Sequence, residues 1–413
     1  MLDTVPSNTF SLYDHVLDTA VLFDAVPRRF ADLGLSAVDT YFAAARGRDG
    51  VPPLELTKWF DTNYHYLVPE LRPESRFALV GDKPLAEFRE ALELGVRTRP
   101  VLLGPVTFLL LAKSTVEGFD PLDLLDPLLD RYVELLDRLA EAGAEWVQLD
   151  EPAFVADRTE SELSALRRAY TRLSATRPNI LVAAYFGDLG PALPVLAETS
   201  IDAIAVDLVA GCPDAVGSVL GLRDKTLVAG VVDGRNVWRT DLGAALATCA
   251  SLLGSVGSLA VSTSCSLLHV PYDLDIETDL DPAVVARLAF ARQKVAEVAL
   301  LGRALREDGL RLDRAAVAAP AIDDRVRARI AALRPEHRTR TPYAERERVQ
   351  RERLGLPPLP TTTIGSFPQT ADVRKARAEL VSGGLDAEGY AARMRRHAML
   401  CRRNGCGRTR TAA

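Results

Sequence analysis

The chain has 413 residues, of which 48% are hydrophobic and 26% charged, and its formal net charge at pH 7 is −6. A chain of this length forms one large α/β barrel or two to three ordinary domains, each with a sizeable core. The net charge is negative, whereas nucleic-acid binding requires a basic surface, so we expect no nucleic-acid partner.

The sequence predicts no membrane partner and a cytoplasmic location. No stretch approaches the roughly 18 uninterrupted apolar residues of a spanning helix, and the start of the chain lacks a basic region followed by an apolar one. Five cysteines, an odd number scattered through a long chain, favour reduced thiols over a disulfide framework.

Short runs rich in Val, Ile and Leu recur between longer amphipathic stretches, as expected for parallel strands covered by helices on both faces. Between them, segments such as 121–142 place leucines at helical spacing. The repeating pattern predicts an α/β fold of the (β/α)8 TIM-barrel type. The predicted strands are Arg99–Val106, Glu145–Asp150, Ile180–Phe186, Ile201–Val209, Leu227–Val232 and Leu259–Thr263.

Polar or glycine-rich clusters follow many of these runs, at 104–107, 150–152, 185–188, 233–236 and 264–266. In a (β/α)8 barrel the carboxyl ends of the strands build the active-site face, so these clusters favour a ligand site. Asp, Ser and Asn after a strand are also ordinary N-caps of the next helix, and both interpretations stay open.

The composition changes after residue 302, which gives four predicted regions. We expect a barrel domain over 1–302, a helical, charged linker over 303–360, the beginning of a second barrel over 361–394, and an Arg-rich, disordered tail over 395–413. A turn-rich segment at 354–360 precedes the extended residues Thr361–Ile364, which we interpret as the first strand of the second domain.

Several motifs identify a family. The run Lys-Trp-Phe-Asp-Thr-Asn-Tyr-His-Tyr-Leu-Val-Pro-Glu at Lys58–Glu70 resembles a long signature of the N-terminal domain of cobalamin-independent methionine synthase. In order and spacing, the resemblance extends from residue 3 to about 395. The other similar segments are Pro100–Phe108, Glu145–Pro152, Gly230–Thr240, Ser264–Asp273 and Thr361–Thr370.

The resemblance implies an enzyme of two (β/α)8 barrels that moves a methyl group from 5-methyltetrahydrofolate polyglutamate to homocysteine, giving methionine without cobalamin. The methyl acceptor has to be a thiolate, and the family obtains it by binding the homocysteine sulfur to zinc in the second barrel. We expect this chain to lack those zinc ligands, and also the family's first strand and the basic helix that follows it.

The resemblance also assigns substrate-binding positions. Lys58 matches the residue that contacts the anionic tail of the folate, although a solvated lysine beside a packed Trp59 is the alternative. Ile364, Gly365 and Ser366 match the strand end that binds homocysteine, where glycine permits close backbone approach. The rest of that pocket is expected to be absent. The sequence predicts no catalytic residue and no metal ligand.

Other candidates favour structural roles. The carboxylates of Asp150 and Glu151 follow a strand, and we expect them to cap the following helix or to hold Arg235 rather than to catalyse. Cys265 and His269 lie near another strand end without enough companions for a metal site. Cys401 and Cys406 make an equally weak case.

Three functional interpretations remain open from the sequence. The chain is the folate-tail-binding, scaffold half of the methyltransferase and inactive alone, or a non-catalytic module that binds folate polyglutamate or another protein, or the remnant of a disrupted gene. A further possibility is that Thr361–Ser366 takes the place of the missing first strand.

Overall fold

The computed structural model describes residues 2–48, 50–306, 323–360 and 370–403. The chain divides into two compact units, Met1–Ala319 and Pro320–Ala413. No helix of the described residues is both long enough and apolar enough to span a membrane.

The strands of the described residues all belong to the first unit. In chain order they are β1 (Val5–Ser7), β2 (Leu56–Lys58), β3 (His65–Leu67), β4 (Glu70–Leu71), β5 (Thr98–Leu103), β6 (Lys113–Ser114), β7 (Trp146–Asp150), β8 (Asn179–Ala183), β9 (Ala203–Asp207), β10 (Thr226–Val232) and β11 (Ser258–Thr263).

Seven strands form the main sheet, in the order β1-β5-β7-β8-β9-β10-β11, and every pair is parallel. Val5 pairs with Thr98 at one side of the sheet, and Thr226 pairs with Ser258 at the other. Among the described residues, no strand joins β1 to β11, so the curled sheet is open between them. Strands β2 and β3 form a separate antiparallel hairpin.

Helices connect successive strands of the sheet. They are α1 (His15–Leu22), α2 (Arg28–Ala31), α3 (Ala37–Arg46), α4 (Lys83–Glu93), α5 (Pro105–Leu111), α6 (Leu125–Glu141), α7 (Glu160–Leu173), α8 (Ala192–Ala197), α9 (Pro213–Gly217), α10 (Leu242–Leu252), α11 (Pro282–Val285) and α12 (Ala291–Arg306); the second unit contributes α13 (Asp324–Ala331), α14 (Tyr343–Leu354), α15 (Ala371–Val381) and α16 (Ala387–Arg403).

The core lies between the sheet and these helices. Helix α6 buries Leu125, Leu128, Leu135 and Leu139 at helical spacing, while its charged residues face outward. Helix α7 begins at a capping box, in which Thr159 accepts a hydrogen bond from the Glu162 amide and the Glu162 side chain accepts one from Thr159. Both helices therefore follow from local sequence signals.

The predicted barrel-type α/β fold is confirmed, and the main sheet of the described residues has seven strands. Each of the six strands expected from the sequence overlaps one of the main-sheet strands from β5 to β11, although β5 ends at Leu103 and α5 begins at Pro105, within the predicted strand Arg99–Val106. Strand β1 was not expected, because it has three residues and contains Pro6, which donates no backbone hydrogen bond. It pairs along the edge of the sheet, where a proline is tolerated.

Two helices extend across predicted domain boundaries. Helix α12 runs through residue 302 to Arg306, because no proline interrupts it and its Arg and Ala residues are good helix formers. Helix α16 likewise runs through residue 394 to Arg403. The predicted tail thus starts inside a helix, and 404–413 lie outside the described residues.

Candidate ligand site at the carboxyl ends of the strands

A cavity of about 1270 Å³ occupies the inside of the curled sheet and opens at the carboxyl ends of its strands. Because all strands of the sheet are parallel, the residues that follow them meet at one end. The residues that line this end of the cavity include His15, Trp59, Asp61, Tyr185, Arg235, Cys265 and His269.

The hairpin of β2 and β3 carries an aromatic wall of the cavity. Trp59 follows β2 directly, is 2% exposed, and meets the His15 ring edge-on with 4.3 Å between ring centroids. The Nε2 atom of His15 is buried without a hydrogen-bond partner. Burial, followed by the charge of His269, lowers the pKa of His15 to about 4. His15 is therefore a neutral imidazole at pH 7, available to a ligand as a donor or an acceptor.

Arg235 is the cation at the mouth of the cavity. Its guanidinium lies 3.0 Å from a carboxylate oxygen of Asp61 and 5.0 Å from the ring centroid of Phe186. The backbone amide of Arg235 donates to the Asp233 side chain, which shapes the loop after β10. The pair with Asp61 connects this loop to the β2–β3 hairpin across the mouth.

A polar network continues into the interior below Asp150. The hydroxyl of Tyr185 donates to Oδ2 of Asp150 at 3.0 Å, and Nε2 of Gln148 donates to Oδ1 at 2.7 Å. Arg99 donates two hydrogen bonds to the Gln148 side-chain oxygen. Burial raises the pKa of Asp150 to about 6, against the lowering effect of these hydrogen bonds and of Arg99. The cavity thus offers a carboxyl group whose pKa burial raises to about 6.

Glu151 has a different role from its neighbour. Its side chain is fully buried and accepts hydrogen bonds from the amides of Val106 and Thr107 and from the Tyr170 hydroxyl. The two amides belong to the first turn of α5, whose exposed N–H groups favour a carboxylate. A Cβ at Gly104 would lie 2.3 Å from the Glu151 carboxyl group, so this contact requires glycine.

From the sequence we expected Asp150 and Glu151 to cap the following helix or to hold Arg235. In the structure these two carboxylates have other partners. Glu151 caps α5, which follows the neighbouring strand β5, and not the helix after its own strand. Arg235 is paired with Asp61 and not with either carboxylate. Both contacts join residues far apart in the chain, and local spacing does not reveal such pairs.

Lys58, the predicted contact for the folate tail, is the last residue of β2 and pairs across the hairpin with His65. Its side chain is exposed, and no carboxylate of the described residues lies within salt-bridge distance of it. Lys58 does not line the cavity, but the adjacent Trp59 does. The other predicted substrate positions, Ile364, Gly365 and Ser366, lie outside the described residues.

Among residues 2–48, 50–306, 323–360 and 370–403, no group of three or more His, Cys, Asp or Glu side chains could hold a metal ion. Burial, with the charge of Asp207, raises the pKa of the Cys265 thiol to about 12, which disfavours the thiolate that a metal binds. The described residues therefore do not fit zinc.

The sequence analysis interpreted His15 as a satisfied histidine at the edge of the core, whereas its buried Nε2 has no hydrogen-bond partner among the described residues. It did not anticipate the interior network that joins Arg99 and Gln148 to Asp150 and Tyr185. A usable signal existed for the network: Arg99 and Gln148 interrupt apolar strands, where polar residues are expected only with partners. Which partner each has depends on the neighbouring strand, and this required the register of the sheet.

A parallel α/β barrel-type domain with a cavity at its strand ends defines a class of proteins that bind small molecules at that face. The family model for the N-terminal domain of cobalamin-independent synthase matches residues 1–257, and the model for its catalytic domain matches residues 359–403. The chain belongs to the cobalamin-independent methionine synthase family.

Curated relatives agree with this assignment. The chain is 56% identical over 407 residues to the 5-methyltetrahydropteroyltriglutamate–homocysteine methyltransferase of Rhodococcus jostii, covering 95% of this chain and 54% of the relative. It is 52% identical over 415 residues to the protein of that name from Streptomyces coelicolor, with the same coverage. The chain therefore spans about half the length of these relatives.

A solved B12-independent methionine synthase from Shewanella sp. W3-18-1, in complex with selenomethionine, is 18% identical with a TM-score of 0.46. The likeness covers 62% of this chain and 76% of that chain.

Replacement of Glu151 by alanine tests its role as a cap. In Glu151→Ala, two backbone amides and a buried hydroxyl lose their acceptor, and we expect the free energy of unfolding to fall by about 3 kcal/mol. Urea denaturation measures this change. The control is Glu90→Ala on the exposed face of α4, which should change stability by less than about 0.5 kcal/mol. Equal effects in the two variants would contradict the capping role.

The same residue predicts a pH dependence of stability. Burial, outweighing the hydrogen bonds from Thr107, Tyr170 and Val106, raises the pKa of Glu151 from 4.5 to about 7. The folded chain thus binds this proton more tightly than the unfolded chain, so its contribution is complete below the unfolded pKa and is lost as pH rises through about 7.

We therefore expect the free energy of unfolding of the native chain to fall between about pH 4.5 and 7, and to fall less steeply in Glu151→Gln. Urea denaturation across this range gives both slopes, whatever the absolute stability of the variant. Glu90→Gln should keep the native slope. A Glu151→Gln slope as steep as the native one would show that another group titrates.

Proposed function

We propose that this chain supplies the folate-tail-binding half of a cobalamin-independent methionine synthase. The complete reaction moves the methyl group of 5-methyltetrahydrofolate polyglutamate to homocysteine and yields methionine. The proposal is supported by the order of the two family matches along the chain and by relatives that are named for a pteroyltriglutamate and homocysteine. A cytoplasmic location stays a prediction from the sequence.

The observation that carries the proposal is the position of Lys58. Its ammonium group is exposed at the end of β2, where the described residues offer it no carboxylate partner. The next residue, Trp59, is packed at 2% exposure, so the hairpin holds the base of the lysine side chain in place. A flexible cation on a fixed base suits the mobile carboxylates of a polyglutamate tail.

The aromatic and polar cavity beside Lys58 extends the same surface. Trp59 and His15 line the cavity, and Arg235 presents a second cation at the mouth. A ligand with a planar head and an anionic tail could contact both the cavity and Lys58. We propose that the tail contacts Lys58 and leave the head unassigned.

The homocysteine half of the reaction is proposed only at the level of positions. Ile364, Gly365 and Ser366 remain the predicted homocysteine contacts. Zinc would supply the thiolate of homocysteine in the complete enzyme, and the described residues of this chain do not fit that ion. We therefore propose that this chain alone is inactive as a methyltransferase.

A second candidate is a binding module without catalysis, which retains affinity for folate polyglutamate. It is favoured by the same exposed Lys58 together with the lack of a metal-binding group among the described residues. The two candidates agree about binding and differ about turnover, and separate experiments address them.

Removal of the Lys58 ammonium group should weaken binding of pteroyltriglutamate. We expect Lys58→Ala to raise the dissociation constant by about fivefold, near 1 kcal/mol, and the difference to shrink at high salt because the contact is ionic. Isothermal titration calorimetry measures both effects.

The matched control is Lys375→Ala, an equal loss of charge at an exposed lysine of α15. It should bind as the native chain does. Equal affinities of the native chain and Lys58→Ala would remove Lys58 from the site, and no heat in any sample would remove folate-tail binding.

The purified chain, supplied with zinc, homocysteine and methylated pteroyltriglutamate, should form no methionine above the uncatalysed background. The physical reason is that neutral thiol is a poor nucleophile and the described residues offer no ligand set for the metal. Amino-acid analysis with a full-length relative as positive control measures the product. Sustained turnover would overturn the claim of inactivity.

A further inference from the structure

Arg235, at the mouth of the cavity, is held by its own loop and by an aromatic ring. Its backbone amide donates to Oδ1 of Asp233 at 2.8 Å, which fixes the loop after β10. Its guanidinium lies 5.0 Å from the ring centroid of Phe186, in the loop after β8. Only 31% of the Arg235 side chain is exposed. The loop and the ring therefore position this cation, whichever carboxylate it meets.

The ion-pair partner of Arg235 is, by contrast, an exposed carboxylate. A carboxylate oxygen of Asp61 lies 3.0 Å from the guanidinium, but 71% of the Asp61 side chain is exposed. An exposed ion pair contributes little to stability, because water replaces each partner when the pair separates. Asp61 can therefore turn into the solvent while Arg235 stays on the Phe186 ring. The N–H groups that Asp61 leaves are then open to another carboxylate.

Two other carboxylates in the neighbouring loops are engaged by backbone groups. Asp233 accepts hydrogen bonds from the amides of Arg235 and Asn236 and from the Asn236 side chain. Asp207, at the end of β9, accepts from three backbone amides. These hydrogen bonds hold both carboxylates in their own loops. Asp61 is therefore the carboxylate that a ligand would replace.

The aromatic residues behind Arg235 have an unfavourable backbone conformation. Phe186 has a φ of 79° and Phe60 a φ of 50°, and their ring centroids are 6.1 Å apart. Left-handed backbone is unfavourable at a bulky residue and is found preferentially at ligand sites. Here it places the Phe186 ring over one face of the guanidinium. The donors of a guanidinium lie in its plane, so a ring over the face leaves them available.

The cavity beside Arg235 offers apolar surface to the rest of a ligand. Leu267 and Leu268, in the turn after β11, line the cavity together with Arg235. Leu268 is 72% exposed, so a ligand that covers it removes apolar area from water. Burial, followed by the charge of Arg235, lowers the pKa of the neighbouring His269, and its ring is therefore neutral at pH 7. An apolar group thus has a place next to a fixed positive charge.

We infer that Arg235 binds the carboxylate of a small ligand with an apolar body, and that Asp61 occupies the same donors when the ligand is absent. A guanidinium donates two parallel hydrogen bonds to one carboxylate. Arg235 supplies a single positive charge, which matches a singly charged carboxylate better than a doubly charged phosphate. The apolar body lies against the Leu267–Leu268 turn. The inference does not depend on Lys58 or on the proposed function.

The probe is para-fluorobenzoate, titrated into the full chain and followed by fluorine NMR. The uncharged para-fluorobenzamide has the same body and should bind at least about tenfold more weakly, because it lacks the charge. Acetate has the charge without the body and should displace the probe only at concentrations at least about tenfold above those of unlabelled benzoate. No binding of the probe, equal binding of the amide, or equal competition by acetate would each overturn the proposal.

Substitutions of the two ion-pair partners should have opposite effects. Asp61→Asn removes the competing carboxylate and should tighten binding of the probe by about threefold, whereas Arg235→Gln should weaken it by about tenfold or more. The matched controls are Asp137→Asn and Arg89→Gln, at exposed positions of α6 and α4. Both should change the affinity by less than about 1.5-fold.

If Arg235→Gln does not fold, Asp61→Asn still tests the inference, because it changes an exposed side chain. Lys58→Ala should bind the probe as the native chain does, which separates this site from the folate-tail contact. Weaker or unchanged binding in Asp61→Asn, native binding in Arg235→Gln, or lost binding in Lys58→Ala would each contradict the assignment of Arg235.

Discussion

The parallel direction of every strand in the main sheet is the constraint on which the rest of the first unit depends. It brings the carboxyl ends of β5 and β7 to one face, and there the side chain of Glu151 joins two successive βα units of the sheet. Its carboxyl group follows β7, accepts from the first turn of α5 and accepts from Tyr170 on α7. The helix layer is thereby fixed to the sheet beside the cavity.

The position of Asp150, one residue earlier, shows how the same strand serves a second purpose. Successive side chains of a strand point to opposite sides, so Asp150 faces the cavity while Glu151 faces the helices. Burial raises the pKa of both groups, but only Asp150 lines the space open to a ligand. The two adjacent carboxylates therefore have different roles: Glu151 is structural, and Asp150 lines the cavity.

Much of the fold could be predicted, because continuous apolar runs and leucines at helical spacing are local signals. The six main-sheet strands from β5 to β11 were predicted in this way. Strand β1 was not predicted, because it has too few residues and contains a proline. The site was less predictable. The partner of Arg235 is Asp61, 174 positions away, and neither residue has a local pattern that indicates the other. Lys58 was predicted to bind substrate only because it lies in a long family motif. No physical property of a single lysine indicates such a role.

Because Gly104 and Glu151 are in contact, a substitution at one of these positions affects which residues the other position tolerates. A methyl group at residue 104 would occupy the space of the Glu151 carboxyl group, and a shorter acid at 151 would withdraw from the α5 amides unless that space were filled. Each change alone is therefore unfavourable, while the two together need not be. Among descendants of this sequence, residues 104 and 151 should change as a pair or stay as they are.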